Sequence, residues 1–461
     1  MKIMDYLAKQ LSEYAHGLRY EYIDDETIIE TKKRILDSLG CAIGTYNEIP
    51  ARKTRNLVQN NYLGKTSTVL GTKLKTTPDI ATFANGLLIR YFDFNDTYLS
   101  KEPAHPSDNI STCLAASEAN RKSGKDLLVA IVLAYEIQCR LCDAAILRSR
   151  GWDHVCYGLV SSALGAGRLY GLNLEELTNS VNISLNSHIA MRQVRAGNMS
   201  DWKGFSFANA ARNAVFSALI AKEGISGPSP IFEGEMGFFN QVSGRFDLDV
   251  SAFGNKRSGT HFKLPETYIK YYPAEYHSQS AIWAAFEARK EIGNPEEIVS
   301  VEIDTHEAGY TILGKDKEKW APKTKETADH SLPYIVGMAL LEGKIQNSTY
   351  SQRNLVNPEI ISFLEKITVK EDKDLTSSYP SEIANRIIVK LRDGKTITKQ
   401  VNIPKGHPRN PMTQDEIVSK FKLLTKRFLK NSQMEKIIDF VWNIEKKDDV
   451  SFLPKLCVVN S

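Results

Sequence analysis

The spacing of apolar residues predicts that the first 265 residues are mostly helical. In the segment DETIIETKKRILDSLGCAIGTY, Ile28, Ile35 and Leu39 recur at helical spacing behind acidic residues that favour a helix start. The segment VCYGLVSSALGAGRLYGL, from Val155, places glycine, serine and alanine throughout one helix, and ANAARNAVFSALIAKEGI, from Ala208, is similar. We expect these two helices to approach closely at the centre of an all-α domain.

The pattern changes to a period of two in the middle of the chain. Val299, Val301 and Ile303 alternate with polar residues, which predicts a β-strand. The segment RIIVKLRDGKTITKQVNI predicts two further strands around Asp393-Gly394, a dipeptide typical of hairpin turns. A helical pattern, SLPYIVGMALLEG, lies between them and predicts a helix that covers one face of the sheet.

Helical patterns return from about residue 405, in TQDEIVSKFKLLTKRFL and QMEKIIDFVWNIE. We therefore predict an α-helical large domain made of residues 1–265 and 405–461, and an inserted small α+β lid domain, residues 266–404. An insert of this kind commonly closes over a site at the domain junction.

Composition and charge exclude several classes of protein. The chain has 461 residues, with 42% hydrophobic and 25% charged residues, as in ordinary globular proteins. A net charge of +4 argues against nucleic acid as the main partner but allows a local basic pocket. The longest apolar stretch, from Leu127, is interrupted by Glu136 and Arg140, so we expect no membrane span. The N-terminal stretch shows no continuous apolar signal region, and we expect a cytoplasmic protein.

Six cysteines provide no recognisable metal site. Cys139 and Cys142 form a CxxC pair, but they lie in the strongly helical run LLVAIVLAYEIQCRLCDAAIL, and no further ligands are spaced close to them. We therefore expect reduced cysteines packed in the core, no metal and no other cofactor.

Polar side chains gather at residues 91–109, between two apolar helical segments. Asp93 and Thr97 are four residues apart, so on a helix they would share a face. His105 precedes a proline, which favours extended backbone, and Ser107 or Asn109 could cap the next helix. The stretch is also compatible with an ordinary helix–loop–helix corner.

Three further stretches place polar groups beside apolar helices. His154, in GWDH, precedes the small-residue helix, and His277, in YYPAEYHSQSA, lies at the expected hinge. RQVRAGNMSDWKG puts Arg192, Arg195 and Lys203 before another helix N-terminus, an arrangement that favours bound carboxylates or phosphates. Their structural alternatives are a capping histidine, a core histidine and a solvated loop. No GxSxG elbow, P-loop or dinucleotide fingerprint is present.

Six segments in the same order resemble the MmgE/PrpD family over nearly the whole chain. They are DFNDTYLSKEPAHPSDN, RGWDH, RQVRAGNMSDWKG, FANAARNAVFSALIA, GPSPIFEGEMGFF and KYYPAEYHSQSA. The resemblance implies a helical domain with an inserted lid, a homodimer and no iron–sulfur cluster. The forms SKEPAHPSDN and GWDH resemble the dehydratase branch, which converts 2-methylcitrate to 2-methyl-cis-aconitate in the methylcitrate cycle of propionate catabolism.

The resemblance also implies the site residues. Carried over, the family's pocket falls on Asp93, Thr97, His105, His154, Lys203 and Tyr310, the last reaching the pocket from the lid. We predict the catalytic residues Asp93, His105, His154 and Tyr310, and the substrate-binding residues Thr97, Lys101, Arg192, Arg195, Lys203 and His277. The expected partner is a small tricarboxylate. The alternatives are a cis-aconitate decarboxylase or an iminodisuccinate epimerase of the same family, or a non-catalytic paralogue.

Overall fold

The computed structural model describes residues 6–196 and 200–459, and the chain divides into two compact units. The first takes in the described residues of Met1–Tyr91, Asn95–Thr267 and Thr413–Ser461, and the second takes in Phe92–Phe94 and Tyr268–Met412. The chain is mostly helical with a small mixed sheet, as the sequence predicts.

The first unit begins with a run of helices and a short two-stranded hairpin. The helices are α1 Tyr6–Gly17, α2 Asp25–Gly44, α3 Ile49–Asn61, α4 Pro78–Arg90, α5 Asn109–Ala119, α6 Gly124–Ala144, α7 Val155–Tyr170, α8 Leu174–His188 and α9 Trp202–Lys222. The strands β1 Ser67–Thr68 and β2 Lys75–Thr76 are antiparallel. Asp24 caps α2 by accepting a hydrogen bond from the Thr27 amide, as its acidic start predicts.

The second unit contains a four-stranded sheet and its own helices. The helices are α10 Gln279–Glu291, α11 Glu307–Gly309, α12 Lys325–Ala328, α13 Leu332–Glu342, α14 Gln352–Leu355, α15 Pro358–Leu364 and α16 Lys373–Ser378. The strands are β3 Ile298–Thr305, β4 Ile367–Glu371, β5 Asn385–Leu391 and β6 Thr396–Val401. The chain ends, back in the first unit, with α17 Gln414–Thr425, α18 Asn431–Trp442 and α19 Leu453–Leu456.

The small-residue helix α7 is buried along nearly its whole length and packs against α9, as predicted. At Gly158 an added Cβ would lie 2.4 Å from the Phe207 ring of α9, so only glycine allows this approach. All six cysteines are buried, and Cys139 and Cys142 lie inside α6, as the CxxC interpretation predicts.

The sheet has the strand order β4-β3-β5-β6, with β3 parallel to β4 and antiparallel to β5. The predicted hairpin is present, and Gly394 adopts the φ of 85° that its turn requires. The helices α10 and α13 bury their apolar residues against the strands, in one core with Val301, Ile303 and Val389.

The predicted alternation of buried and exposed residues in β3 is wrong at Val299. Val299 is 51% exposed, whereas Ile298 and Val301 are buried. The pairing with β5 shifts register between Ile298 and Ser300, and this irregularity turns Val299 outward.

The predicted helical face shared by Asp93 and Thr97 is also wrong. Helix α4 ends at Arg90, and Asp93 has a φ of 52°, which a right-handed helix cannot accommodate. Neither Ser107 nor Asn109 caps α5, because a 3₁₀ turn, Pro106–Asp108, leads directly into it.

The helix that carries Lys203 begins at Trp202 rather than at Ala208, so Lys203 lies in the first turn of α9. Gly197, Asn198 and Met199 of the same predicted loop lie outside the described residues.

No helix among the described residues is long and apolar enough to cross a membrane.

Candidate active site

The predicted site residues fall into two groups, one in each unit. The first unit contains Thr97, Lys101, His105, His154, Arg192, Arg195 and Lys203, and the second contains Asp93, His277 and Tyr310.

In the first unit, hydrogen bonds hold the loop that carries His105 and fix the tautomer of its imidazole. The buried Asp96 carboxylate accepts hydrogen bonds from the Ser107 amide at 2.9 Å and the Tyr135 hydroxyl at 2.7 Å. His105 Nδ1 lies 2.7 Å from the Asp96 carbonyl oxygen, which can only accept, so Nδ1 carries the proton. Its Nε2 then accepts from the Arg90 guanidinium at 3.0 Å. His105 is therefore a neutral imidazole in this arrangement.

His154 lies beside it, and the two ring centroids are 5.9 Å apart. The Arg195 guanidinium donates to His154 Nε2 at 2.8 Å and to Asp153 Oδ2 at 2.7 Å. Burial is the main cause that lowers the pKa of His154 to about 3, with Arg195, Arg90 and Arg192 acting in the same direction and Asp153 opposing them. His154 is therefore neutral at physiological pH.

The proton of this neutral imidazole lies on Nδ1, because Nε2 accepts from Arg195. Nδ1 is buried and has no hydrogen-bond partner among the described residues. A buried donor without a partner is costly, which marks this atom as a point of contact for a ligand.

Tertiary pairing brings Arg195 to His154. The Asp153 amide donates to the Ala190 carbonyl at 2.9 Å, and the Arg192 amide donates to the Gly151 carbonyl at 2.8 Å. The segment before α9 is thus paired with the segment before α7. Burial raises the pKa of Asp153, but Arg195 overcomes this and holds it at about 2, so the carboxylate stays charged.

The remaining predicted residues of this unit lie in different surroundings. The buried Thr97 hydroxyl donates to the Ala104 carbonyl at 3.2 Å, next to His105. Lys101 is exposed and donates to the Ala144 carbonyl at 3.3 Å. Lys203 is half-buried in the first turn of α9.

In the second unit, Asp93 pairs with a buried lysine that the sequence analysis did not select. Lys270 is 2% exposed, and its ammonium donates to Asp93 Oδ1 at 2.8 Å and to the Asp93 carbonyl at 2.6 Å. The left-handed backbone at Asp93 presents both oxygens to the same ammonium. His330 Nε2 lies 3.7 Å from Asp93 Oδ2, and its Nδ1 lies 2.5 Å from Asp329 Oδ1.

His277, in the same unit, pairs with another carboxylate, that of Glu275. Its Nδ1 lies 2.8 Å from Glu275 Oε1, and its Nε2 lies 3.3 Å from the Tyr379 hydroxyl. Burial raises the pKa of Glu275, but His277, His330 and Lys270 outweigh it and hold that pKa at about 2. Both ring nitrogens of His277 are thus engaged by protein groups.

Tyr310 is half-buried and comes one helical turn after His306 in the sequence. The His306 ring stacks on the Tyr379 ring, with the two centroids 4.6 Å apart. Burial, and secondarily His277, lowers the pKa of His306 to about 3.

Sequence reasoning assigned no catalytic or binding role to Arg90, Asp96, Asp153, Lys270, Glu275 and His330. Two of them carried a usable signal: Arg90 interrupts the apolar run IATFANGLLIRYF, and Lys270 interrupts the aromatic run YIKYY. A charge that folding must bury needs a partner, which makes such interruptions worth noting. Within residues 6–196 and 200–459, no three His, Cys, Asp or Glu side chains are grouped as metal ligands would be.

The comparisons with known proteins agree with this combination of a helical unit and a mixed-sheet unit. The MmgE/PrpD N-terminal domain matches residues 9–251, and the MmgE/PrpD C-terminal domain matches residues 272–446. The chain therefore belongs to the MmgE/PrpD family, as its motifs predict.

Among its relatives is the 2-methylcitrate dehydratase of Cupriavidus necator, 30% identical over 430 residues, which cover 88% of this chain and 85% of the relative. The 2-methylcitrate dehydratase of Escherichia coli strain K12 is 31% identical over 432 residues, 88% of this chain and 87% of the relative. The cis-aconitate decarboxylase of Mus musculus is 27% identical over 461 residues, 96% and 91% of the two chains.

Proposed function

We propose that this chain is a hydro-lyase that removes water from 2-methylcitrate to give 2-methyl-cis-aconitate, the dehydration step of the methylcitrate cycle. Relatives named 2-methylcitrate dehydratase, 30% and 31% identical over most of both chains, support this choice. The geometry that carries the proposal is the neutral, buried His154, with Arg195 on one ring nitrogen and, on the other, a donor that has no partner within residues 6–196 and 200–459.

The arginines of the first unit account for the binding of an anionic substrate. A 2-hydroxy tricarboxylate brings three negative charges, and its carboxylates match the forked donors of a guanidinium. Arg195 keeps its 2.7 Å bond to Asp153 while its other nitrogen, now on His154, is turned to a substrate carboxylate. Arg90 and Arg192 add positive charge around the same imidazole.

Substrate binding prepares His154 to act as a base. The negative charges of the bound carboxylates counteract the three arginines, so they raise the pKa of His154 from about 3 towards 7. When Arg195 turns to the substrate, the Nε2 lone pair is released. The imidazole can then accept a proton in the range where it is an effective base.

The elimination proceeds by two proton transfers. His154 takes the carbon-bound proton next to a carboxylate, and the electron pair of that bond becomes the new carbon–carbon double bond. The carbon–oxygen bond breaks, and the leaving hydroxide takes a proton to depart as water. That proton comes from the His154 imidazolium formed in the first step, and the arginines stabilise the negative charge that develops.

The second unit supplies a further proposed group, centred on Asp93. Its carboxylate accepts a hydrogen bond from Lys270 and lies 3.7 Å from an imidazole nitrogen of His330, so a carboxylate, an ammonium and an imidazole are grouped there. Asp93→Asn suits a test because asparagine also adopts left-handed backbone readily. We expect Asp93→Asn and His154→Asn to abolish turnover while circular dichroism shows an intact fold. A near-normal rate in either variant would remove that residue from the mechanism.

The direct test of the reaction is proton NMR of the purified protein, in separate samples, with 2-methylcitrate, with citrate, with cis-aconitate and with iminodisuccinate. We expect an olefinic product from 2-methylcitrate. Itaconate formed from cis-aconitate, with no dehydration of 2-methylcitrate, would instead assign the activity named for the mouse relative. Epimerisation of iminodisuccinate alone would assign the epimerase, and binding without any turnover would assign a non-catalytic paralogue.

A further inference from the structure

A second concentration of positive charge lies in the first unit, around a cavity of about 370 Å³. Its wall contains four cationic side chains and two carboxylates, which leaves a surplus of two positive charges; they are Arg19, Lys122, Lys125 and Arg168, with Glu21 and Asp126. None of these residues belongs to the histidine and arginine group described above. A volume of this size matches the lower range of small-molecule sites.

The two arginines of this cavity converge on one atom. Arg19 donates to the Leu18 carbonyl at 3.1 Å, and Arg168 donates to the same oxygen at 3.2 Å. Because both guanidinium groups donate to one oxygen, they lie close together, and their like charges repel each other. Burial lowers the pKa of Arg168, and the charge of Arg19 lowers it further, with Asp126 acting in the opposite direction.

Nearby acids do not neutralise this pair directly. Within the part of the chain that the structure describes, none of the four cations has a carboxylate oxygen within ion-pair distance. Asp126 is instead engaged in capping α6, where its Oδ2 accepts from the Ser123 hydroxyl at 2.7 Å and the Ser123 amide at 3.2 Å. Lys125 lies over the Tyr20 ring, with its ammonium 5.0 Å from the ring centroid.

We propose that this cavity binds a small dianion, a phosphate or a phosphate monoester, between Arg19 and Arg168. The surplus of two charges matches the dianion, and each guanidinium can present two parallel donors to phosphate oxygens. Lys125 and Lys122 neutralise the outer oxygens as point charges. The proposal goes beyond the dehydration of 2-methylcitrate and does not depend on it.

A purely structural role for these residues makes a different prediction. Arg168 lies in the last turn of α7, where a cation is favourable beside the helix C-terminus, and its bond to Leu18 ties α7 to the segment after α1. In that case phosphate would not bind here, and the loss of Arg168 would affect stability alone.

The test is equilibrium dialysis of the whole protein against radiolabelled inorganic phosphate at near-physiological ionic strength set with chloride. We expect saturable binding of one phosphate per chain. Arg19→Gln and Arg168→Gln should each weaken it by about tenfold or more, as expected for losing one charge-assisted contact. Lys53→Gln, which removes an exposed cation from α3, is the matched control and should leave binding unchanged. Arg19 is itself exposed, so its variant should fold even if Arg168→Gln does not.

Two further arms locate and identify the ligand. Phosphate should raise the unfolding temperature of the unaltered protein and of Arg195→Met, but not that of Arg19→Gln. Glycerol 3-phosphate should compete with labelled phosphate, whereas citrate at equal concentration should compete more weakly. The absence of saturable binding, binding that survives both arginine substitutions, or binding abolished by Arg195→Met would each overturn the proposal. Tighter competition by citrate than by the phosphate ester would assign the cavity to carboxylates and would also overturn it.

Discussion

Replacing His154 by asparagine should make the protein less sensitive to mild acid. Burial, followed by the charge of Arg195, brings the pKa of this imidazole from its ordinary value of 6.5 to about 3. Below pH 6.5 the unfolded chain therefore binds a proton that the folded chain does not bind. Stability must then fall as the pH drops from 6.5 towards 3, because the unfolded state takes up more protons.

The size of this effect follows from the pKa difference. Between the folded and unfolded pKa values, each pH unit changes the free energy of unfolding by up to about 1.36 kcal/mol. Between pH 6.5 and pH 5, His154 should thus remove about 2 kcal/mol from the free energy of unfolding. Asp153, whose pKa is about 2 against an ordinary 3.8, contributes only at lower pH, where its own stabilisation is lost. His306 and His407 also have lowered pKa values, about 3 and about 4, but they are present in both proteins and cancel in the comparison.

The measurement is urea unfolding followed by circular dichroism at several pH values from 5 to 7.5. The unaltered protein should lose about 2 kcal/mol more than His154→Asn over the interval from pH 6.5 to 5. Asparagine preserves the local structure because it suits the position before a helix and can accept from Arg195. Replacing the exposed His16 by asparagine is the matched control and should leave the pH dependence unchanged. Parallel curves for the unaltered protein and His154→Asn would show that His154 titrates normally, and the reasoning about its neutral state would be wrong.

Four further predictions concern binding, folding, metal dependence and assembly. Arg195→Met and Lys203→Met should each lower kcat/KM for 2-methylcitrate by at least about tenfold, since each removes a cation that we expect to bind a substrate carboxylate, whereas Lys53→Met should not. Unchanged kinetics in both variants would refute this binding role. Lys270→Met should lower the free energy of unfolding by about 3–5 kcal/mol, because it removes the ammonium that pairs with the buried Asp93 carboxylate. Adding Asp93→Asn should recover part of this loss in urea unfolding. Equal free energies of unfolding for Lys270→Met and the unaltered protein would contradict the pairing. Thorough chelation should leave the rate of dehydration unchanged, and a loss restored by iron or zinc would contradict that expectation. Light scattering should give twice the mass of the 51.7 kDa chain, and a monomer mass would exclude the predicted homodimer.

Local sequence patterns determined much of the secondary structure. The acidic start of α2, the small residues of α7 and the Asp393-Gly394 turn each have a short-range physical cause, so each could be inferred without knowing what packs nearby. The ordered motifs also determined the family, which the matches to both MmgE/PrpD domains confirm.

The errors arose where a distant contact overrides the local pattern. Asp93 and Thr97 have helical spacing, but Lys270, far along the chain, holds the carbonyl and the carboxylate of Asp93 in a left-handed conformation. Val299 fits the alternation of β3, yet an irregular pairing with β5 exposes it. Neither the conformation of Asp93 nor the exposure of Val299 can be inferred from the residues adjacent to it in the sequence.

The sequence by itself determined which residue types could carry acid–base chemistry, because His105, His154 and the nearby arginines are visible in its motifs. Only the tertiary structure decided their protonation and partners. The pairing of the segments before α7 and α9 brings Arg195 to Asp153 and His154, and burial then keeps the imidazole neutral. Charge and solvation depend on every group packed around a side chain, and those groups come from distant parts of the chain.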